Sequence, residues 1–187
     1  MQINNIKCHK HNRKLKLTFN WPPSILEVQV NEKLFTLQEY KKNGGYITEK
    51  TPGYTTYTIA PIKNGKILCE YSDNITHLEK TIITYEINES RFGRYTNHLV
   101  TLTANYPVPP KILQYSRSAV NNLVDNNATA LYYLYEEIST VQPLTRVIRT
   151  PKYEKLHFFI NNEMRDIYGI VQKEERGNRA GKTRRNP

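Results

Sequence analysis

Apolar and polar residues alternate along most of this chain with a period of two. In Lys14–Trp21 (KLKLTFNW), Leu15, Leu17, Phe19 and Trp21 fall on one face, and Lys14, Lys16, Thr18 and Asn20 on the other. One apolar and one polar face define a half-buried antiparallel strand. Pro22-Pro23 cannot serve a central ladder and ends it. Ile25–Val30 resumes the alternation and places Leu26, Val28 and Val30 inward. Leu34–Tyr40 reads as the next strand. It is followed by Lys41-Lys42-Asn43-Gly44-Gly45, a turn signal whose glycines can take positive φ. Tyr54–Ala60, Lys66–Tyr71 and Lys80–Ile87 are further strands, and Lys63-Asn64-Gly65 between the first two is a hairpin signal. About seven short strands at this spacing fill one small β-sandwich.

The second half repeats the plan. Leu99–Ala104 runs into Asn105-Tyr106-Pro107 and Pro109-Pro110, much as the first strand runs into Asn20-Trp21-Pro22-Pro23. Lys111–Arg117 then stands where Ile25–Val30 stood. Ala130–Glu136, Leu144–Thr150, Lys155–Ile160 and Arg165–Gln172 complete a second set. Ala128–Ile138 has no Gly or Pro and also fits a helix, but Tyr132, Tyr133 and Tyr135 favour a strand. The turn-rich, charged Asn88–Asn97 marks the boundary. The expected architecture is all-β: a first sandwich over 1–90, a second and diverged one over 91–172, and a basic tail over 173–187.

Composition agrees and removes several classes. The 187 residues include 10 prolines and 14 tyrosines but only two methionines, which argues against a helical bundle. Two cysteines do not make a disulfide scaffold. The longest apolar runs are short ones such as Leu156–Ile160, so no helix is expected to span a membrane. Met1–Arg13 is polar and basic and lacks the apolar stretch of a signal peptide, which points to the cytoplasm. Rich use of Asn, Lys, Ile and Tyr suggests an AT-biased, bacterial genome.

The net charge is +10. Lys173–Pro187 holds six basic residues against Glu174 and Glu175, a share of +4. That segment has no large apolar residue with which to offset its ordering entropy, so a disordered tail is expected. Weak nucleic-acid contact through it, or through the Lys7–Lys16 cluster, is one reading. The tail lacks the interleaved aromatics that stack on bases.

Catalytic motifs do not emerge. Glu27, Glu39, Glu70, Glu86, Glu136 and Glu137 lie on expected strands or their ends, with nothing to pair them across a cleft. Six serines carry no nucleophile-elbow pattern, and there is no phosphate loop or dinucleotide fingerprint. Cys8-His9-Lys10-His11 offers three metal-ligand types in four residues, but extended backbone puts only His9 and His11 on one face, short of a closed zinc site. No catalytic, cofactor or metal residue is assigned. Tyrosines remain: Tyr40, Tyr46, Tyr54 and Tyr57 cluster around Gly44-Gly45, and Tyr132 and Tyr133 crowd a second stretch. Strand alternation turns one of Tyr132 and Tyr133 outward. Exposed aromatic rings anchor protein partners or stack on sugars.

Two resemblances bear on this picture. The Trp, Pro pair and following strand of Leu15–Val30 resemble strands B and C of a fibronectin type III domain. Thr55–Tyr71 (TTYTIAPIKNGKILCEY) is similar to that family's E strand, apolar-x-Pro corner and F strand. The likeness implies an immunoglobulin/fibronectin-like sandwich with Trp21 between its sheets and Ile59 and Ile62 beneath the corner. Tyr106 stands in place of Trp in the second half. The 60 residues between Cys8 and Cys69 match an immunoglobulin intersheet bridge, although Ile67 occupies that pattern's Tyr position, and two free thiols with Cys69 buried are expected. Phe35–Ile47 (FTLQEYKKNGGYI) resembles uncharacterised bacterial proteins sometimes labelled β-mannanase. A (β/α)8 glycosidase takes ~250 residues and alternates helix with strand, and this chain does neither. The reading is a non-catalytic protein that binds a protein partner through sandwich-end loops, chiefly Lys41–Gly53, with candidate contacts Tyr40, Tyr46, Tyr54, Tyr132 and Tyr133. Carbohydrate binding through exposed tyrosines is the alternative.

Overall fold

A computed structural model describes residues 2–119 and 130–173. Strands dominate, with a single α-helix among the described residues, so the chain is all-β. Two compact units divide it, Met1–Lys80 and Thr81–Pro187.

In the first unit the strands are β1 (Asn4–His11), β2 (Lys14–Asn20), β3 (Glu27–Val30), β4 (Lys33–Thr36), β5 (Tyr46–Glu49), β6 (Gly53–Lys63), β7 (Lys66–Ile67) and β8 (Asp73–Glu79), with α1 (Leu37–Asn43) between β4 and β5. One sheet has the order β1-β2-β5; in the other, β4-β3-β6, both β7 and β8 pair with β6. All these pairs are antiparallel. The alternation in β2 does what it predicts: Leu15, Leu17 and Phe19 are buried and join Val28, Val30, Tyr57 and Ile59 of the other sheet in one core. Each such aliphatic side chain contributes about 2 kcal/mol by leaving water. Trp21 packs against this core and its indole N–H donates to the Ile25 carbonyl at 2.8 Å. Asn64 and Gly65, both at positive φ, close the β6–β7 hairpin.

The second unit holds β9 (Thr81–Phe92), β10 (Tyr95–Ala104), β11 (Leu113–Ala119), β12 (Leu131–Tyr133), β13 (Leu144–Pro151), β14 (Glu154–Ile160) and β15 (Tyr168–Gln172). Its sheets are β13-β10-β9-β15 and β12-β11-β14. Ile83, Val100, Leu102 and Ile148 of the first meet Leu113, Leu156 and Ile160 of the second in a separate core. The last strand, β15, runs parallel to β9, from Tyr168 beside Thr81 to Gln172 beside Tyr85.

Several expectations change. The boundary is at 80/81 rather than 90/91, because Asn88–Asn97 is the end of the long β9–β10 hairpin, closed by Gly93 at φ 58°. Leu34–Tyr40 is not one strand. Thr36-Leu37-Gln38-Glu39 is a capping box in which the Thr36 hydroxyl accepts from the Glu39 N–H and the Glu39 carboxylate accepts from the Thr36 N–H, so the chain turns helical. Those bonds to Thr36 hold the Glu39 carboxyl below its ordinary range. Leu26 is 74% exposed, because strand pairing starts only at Glu27 and Ile25 is buried in its stead. Lys66–Tyr71 yields a two-residue strand and a 3-10 turn, which leaves Cys69 exposed rather than buried; β8 takes the expected place beside β6. Ala130–Glu136 is a strand only over β12. Of the expected tail, Lys173 alone lies among the described residues.

Candidate functional site

Lys41–Gly53, expected to be a contact loop, folds instead as the end of α1, a left-handed turn and β5. Two of the candidate tyrosines, one within this segment and one just before it, are used for packing. Tyr46 is buried against Phe35, with ring centroids 5.0 Å apart. Tyr40 is half-buried among Phe19, Trp21 and Phe35. Its hydroxyl accepts from the Phe19 N–H at 2.9 Å and donates to the Phe19 carbonyl at 2.7 Å. Tyr54 is exposed on β6.

On the short edge strand β12, Tyr132 and Tyr133 are both exposed, though they face opposite sides. Tyr132 stacks on Tyr115 at 5.2 Å, Tyr115 meets Phe158 at 5.8 Å, and Phe158 meets Tyr85 at 5.1 Å. Four rings thus cross from β12 to β9. On the other face, Tyr133 and Tyr135 meet at 62°, which is no flat platform for a sugar ring.

The ladder of rings ends at a groove of about 540 Å³ between β9 and β14. Tyr85, Ile87 and Glu89 line one side, residues Lys155–Phe158 the other, with Gln172 at the end. The reason it is open is topological. β14 is hydrogen-bonded on one side to β11, and β15, which follows it in the chain, pairs with β9 instead. Among the described residues, β14 therefore has a free backbone edge beside exposed parts of the unit's core. A comparison with known protein families, curated proteins and solved structures finds no match.

The groove has a definite polarity. Tyr85 is half-buried, its hydroxyl donates to Gln172 Oε1 at 3.2 Å, and burial pushes its ionisation upward, so it stays a neutral donor. Glu89 Oε1 stands 3.2 Å from Nδ1 of buried His98, close but off the line of a hydrogen bond. Nε2 of His98 is 2.9 Å from the Thr150 hydroxyl. Lys173 Nζ and Asn88 bond to the neighbouring Glu86 and lower its carboxyl range, holding that charge in place.

The other edges of this unit are managed differently. β12 is three residues long, β15 five, and β13 carries Arg146, Arg149 and Pro151. In β14, by contrast, Glu154 and Lys155 sit at the start, and Leu156–Ile160 has His157 as its single polar residue. Charge, proline and shortness are what keep edge strands from pairing, and this stretch has little of them. No local sequence signal marks the edge, since it depends on which neighbour β15 chooses.

Elsewhere, no three His, Cys, Asp or Glu side chains among the described residues come together as a metal site. Nor is any helix among them long and apolar enough to cross a membrane. Cys8 and Cys69 are free thiols. Burial, and then the Glu79 carboxylate, push the Cys8 thiol up, whereas Cys69 is exposed. Since the thiolate is what reacts, brief alkylation with iodoacetamide at neutral pH should label exposed Cys69 faster than half-buried Cys8, as peptide mass mapping will read. Equal labelling rates would contradict the difference in exposure between the two thiols.

Proposed function

We propose that this is a non-catalytic interaction protein whose second unit captures an extended segment of a protein partner along β14. The open edge of β14 beside the β9 groove carries the reading. Backbone N–H and C=O groups on a free edge are satisfied at strand repeat only by another strand, which gives affinity, while alternate side chains entering a flanking groove give selectivity. Ile87 and Phe158 suit an apolar side chain, the rest of the lining is mainly polar, and Glu89 suits a basic residue at the rim.

Each unit is further proposed to be an immunoglobulin/fibronectin-like sandwich. In support, β1-β2-β5 and β4-β3-β6-β8 reproduce the A-B-E and C′-C-F-G pairings of that fold. The second unit departs from it at β15, which leaves the F-like strand uncovered. A protein partner, and the cytoplasm as the place of encounter, remain part of this proposal.

The test selects peptides on the full chain from a random-peptide display library. Selected peptides should alternate apolar and polar residues and slow amide hydrogen exchange at Leu156–Ile160. Ile87→Glu, which also removes a side chain packed against the core, should weaken their binding at least tenfold at a temperature where circular dichroism shows the variant folded, while Tyr54→Ala should not. Protection that maps to other residues, or binding indifferent to Ile87→Glu, would sink the proposal.

A further inference from the structure

Charge in the first unit is segregated. Residues 1–16 hold Lys7, Lys10, Arg13, Lys14 and Lys16 and no acidic residue, whereas residues 17–80 hold seven basic and seven acidic ones. The whole net charge of Met1–Lys80, +5, therefore belongs to the β1–β2 hairpin.

Pairing then gathers much of it on one face. Lys7 lies opposite Thr18, His9 opposite Lys16, and His11 opposite Lys14. Since Leu15, Leu17 and Phe19 point into the core, these six side chains share the outward face. The His9 ring is oriented by the Thr18 hydroxyl, 3.2 Å from Nε2. Lys16 lies across the Gly44–Gly45 turn: a Cβ on Gly44 would come within 3.1 Å of its Nζ. Lys14 is tethered by Glu49, with both side chains still largely exposed. None of the large exposed apolar side chains among the described residues is on this face.

From this arrangement we infer that the outer face of the β1–β2 hairpin binds single-stranded nucleic acid. Three ammonium groups supply phosphate contacts, and two imidazole rings set among them supply flat surfaces on which unpaired bases stack. Side chains on such a face repeat about every 6.7 Å along a strand and 4.8 Å between strands, a grid that lets backbone and bases be held side by side. A lipid surface would call for fully exposed apolar side chains to insert, and beside these residues the face offers only the part-buried Ile47 of β5. A duplex would call for an element that enters a groove, which a flat sheet face does not offer.

Fluorescence anisotropy of a labelled oligothymidine with the full chain is the test. Three phosphate contacts predict a log–log salt slope of about −2, so that raising salt from ~50 to ~200 mM weakens binding ~20-fold. Lys7→Gln/Lys14→Gln/Lys16→Gln should abolish most of that slope. His9→Ala/His11→Ala should weaken binding about tenfold per ring with the slope retained. A full-length chain with Arg176, Arg179, Lys182, Arg184 and Arg185 changed to Gln should keep both behaviours. The inference is overturned by absence of binding, by loss only in the tail variant, or by an affinity for phosphatidylserine vesicles or heparin that matches the oligonucleotide and ignores the histidine changes. Circular dichroism of each variant confirms that the strands persist.

Discussion

Gly45→Ala should lower the melting temperature of the first unit by about 15 °C, near 3 kcal/mol for a unit of this size. Two physical terms add. Gly45 has φ +146°, a conformation that side chains rarely adopt, and a Cβ built there stands 2.6 Å from the Leu17 carbonyl oxygen. The obstacle is backbone in the middle of β2, so it cannot rotate away as a side-chain tip would. Gly44 is the weaker companion: at φ +62° it caps α1, and alanine there costs about 1 kcal/mol. Gly65→Ala is the control in the same unit, since it has positive φ but nothing within 4 Å of its Cβ. Calorimetry of the three variants should rank Gly45 well below Gly44, with Gly65 no lower than Gly44. Equal losses at Gly45 and Gly65 would mean that conformation alone, and not the close approach to β2, sets the cost.

Tyr40→Phe should cost about 2 kcal/mol and close to 10 °C, large for the loss of one oxygen atom. The hydroxyl both receives the Phe19 N–H and donates to the Phe19 carbonyl. Removing it strands a backbone donor and a backbone acceptor together, in a part-buried place flanked by Trp21 and Phe35. Tyr54→Phe, on an exposed ring, should change stability by less than about 0.5 kcal/mol. A Tyr40→Phe midpoint matching that of Tyr54→Phe would show that water replaces the hydroxyl without penalty.

Local patterns were readable where one rule acts alone. The alternation of Lys14–Trp21 names the buried row of β2 because a strand half in water leaves no other arrangement. The hairpin at Asn64-Gly65 follows from backbone sterics. Leu34–Tyr40 misleads because apolar residues of a strand run straight into a helix, and its capping signal, Thr36 with Glu39 three residues on, competes with the alternation. Of the tyrosines near Gly44-Gly45 in the chain, Tyr40 and Tyr46 serve the core: such a ring has an apolar body and a polar tip, and sequence does not say which end is satisfied inside. The basic character of the first sixteen residues is plain in the chain, whereas the shared face of Lys7, His9, His11, Lys14 and Lys16 requires the β1–β2 register. The β14 edge was out of reach, because the partner of β15 lies more than eighty residues away in β9.

The pairing of β15 with β9 also decides how the second unit bears load. Thr81 and Gln172 sit at opposite ends of one parallel ladder. Tension applied between them drags the two strands lengthwise past one another, so the bonds of the ladder share the force and have to fail together. Pulled at Thr81 and Ala104 instead, the antiparallel β9–β10 pair would be gripped from a single end and open one bond at a time. A chain stretched through this unit meets a clamp rather than a zipper.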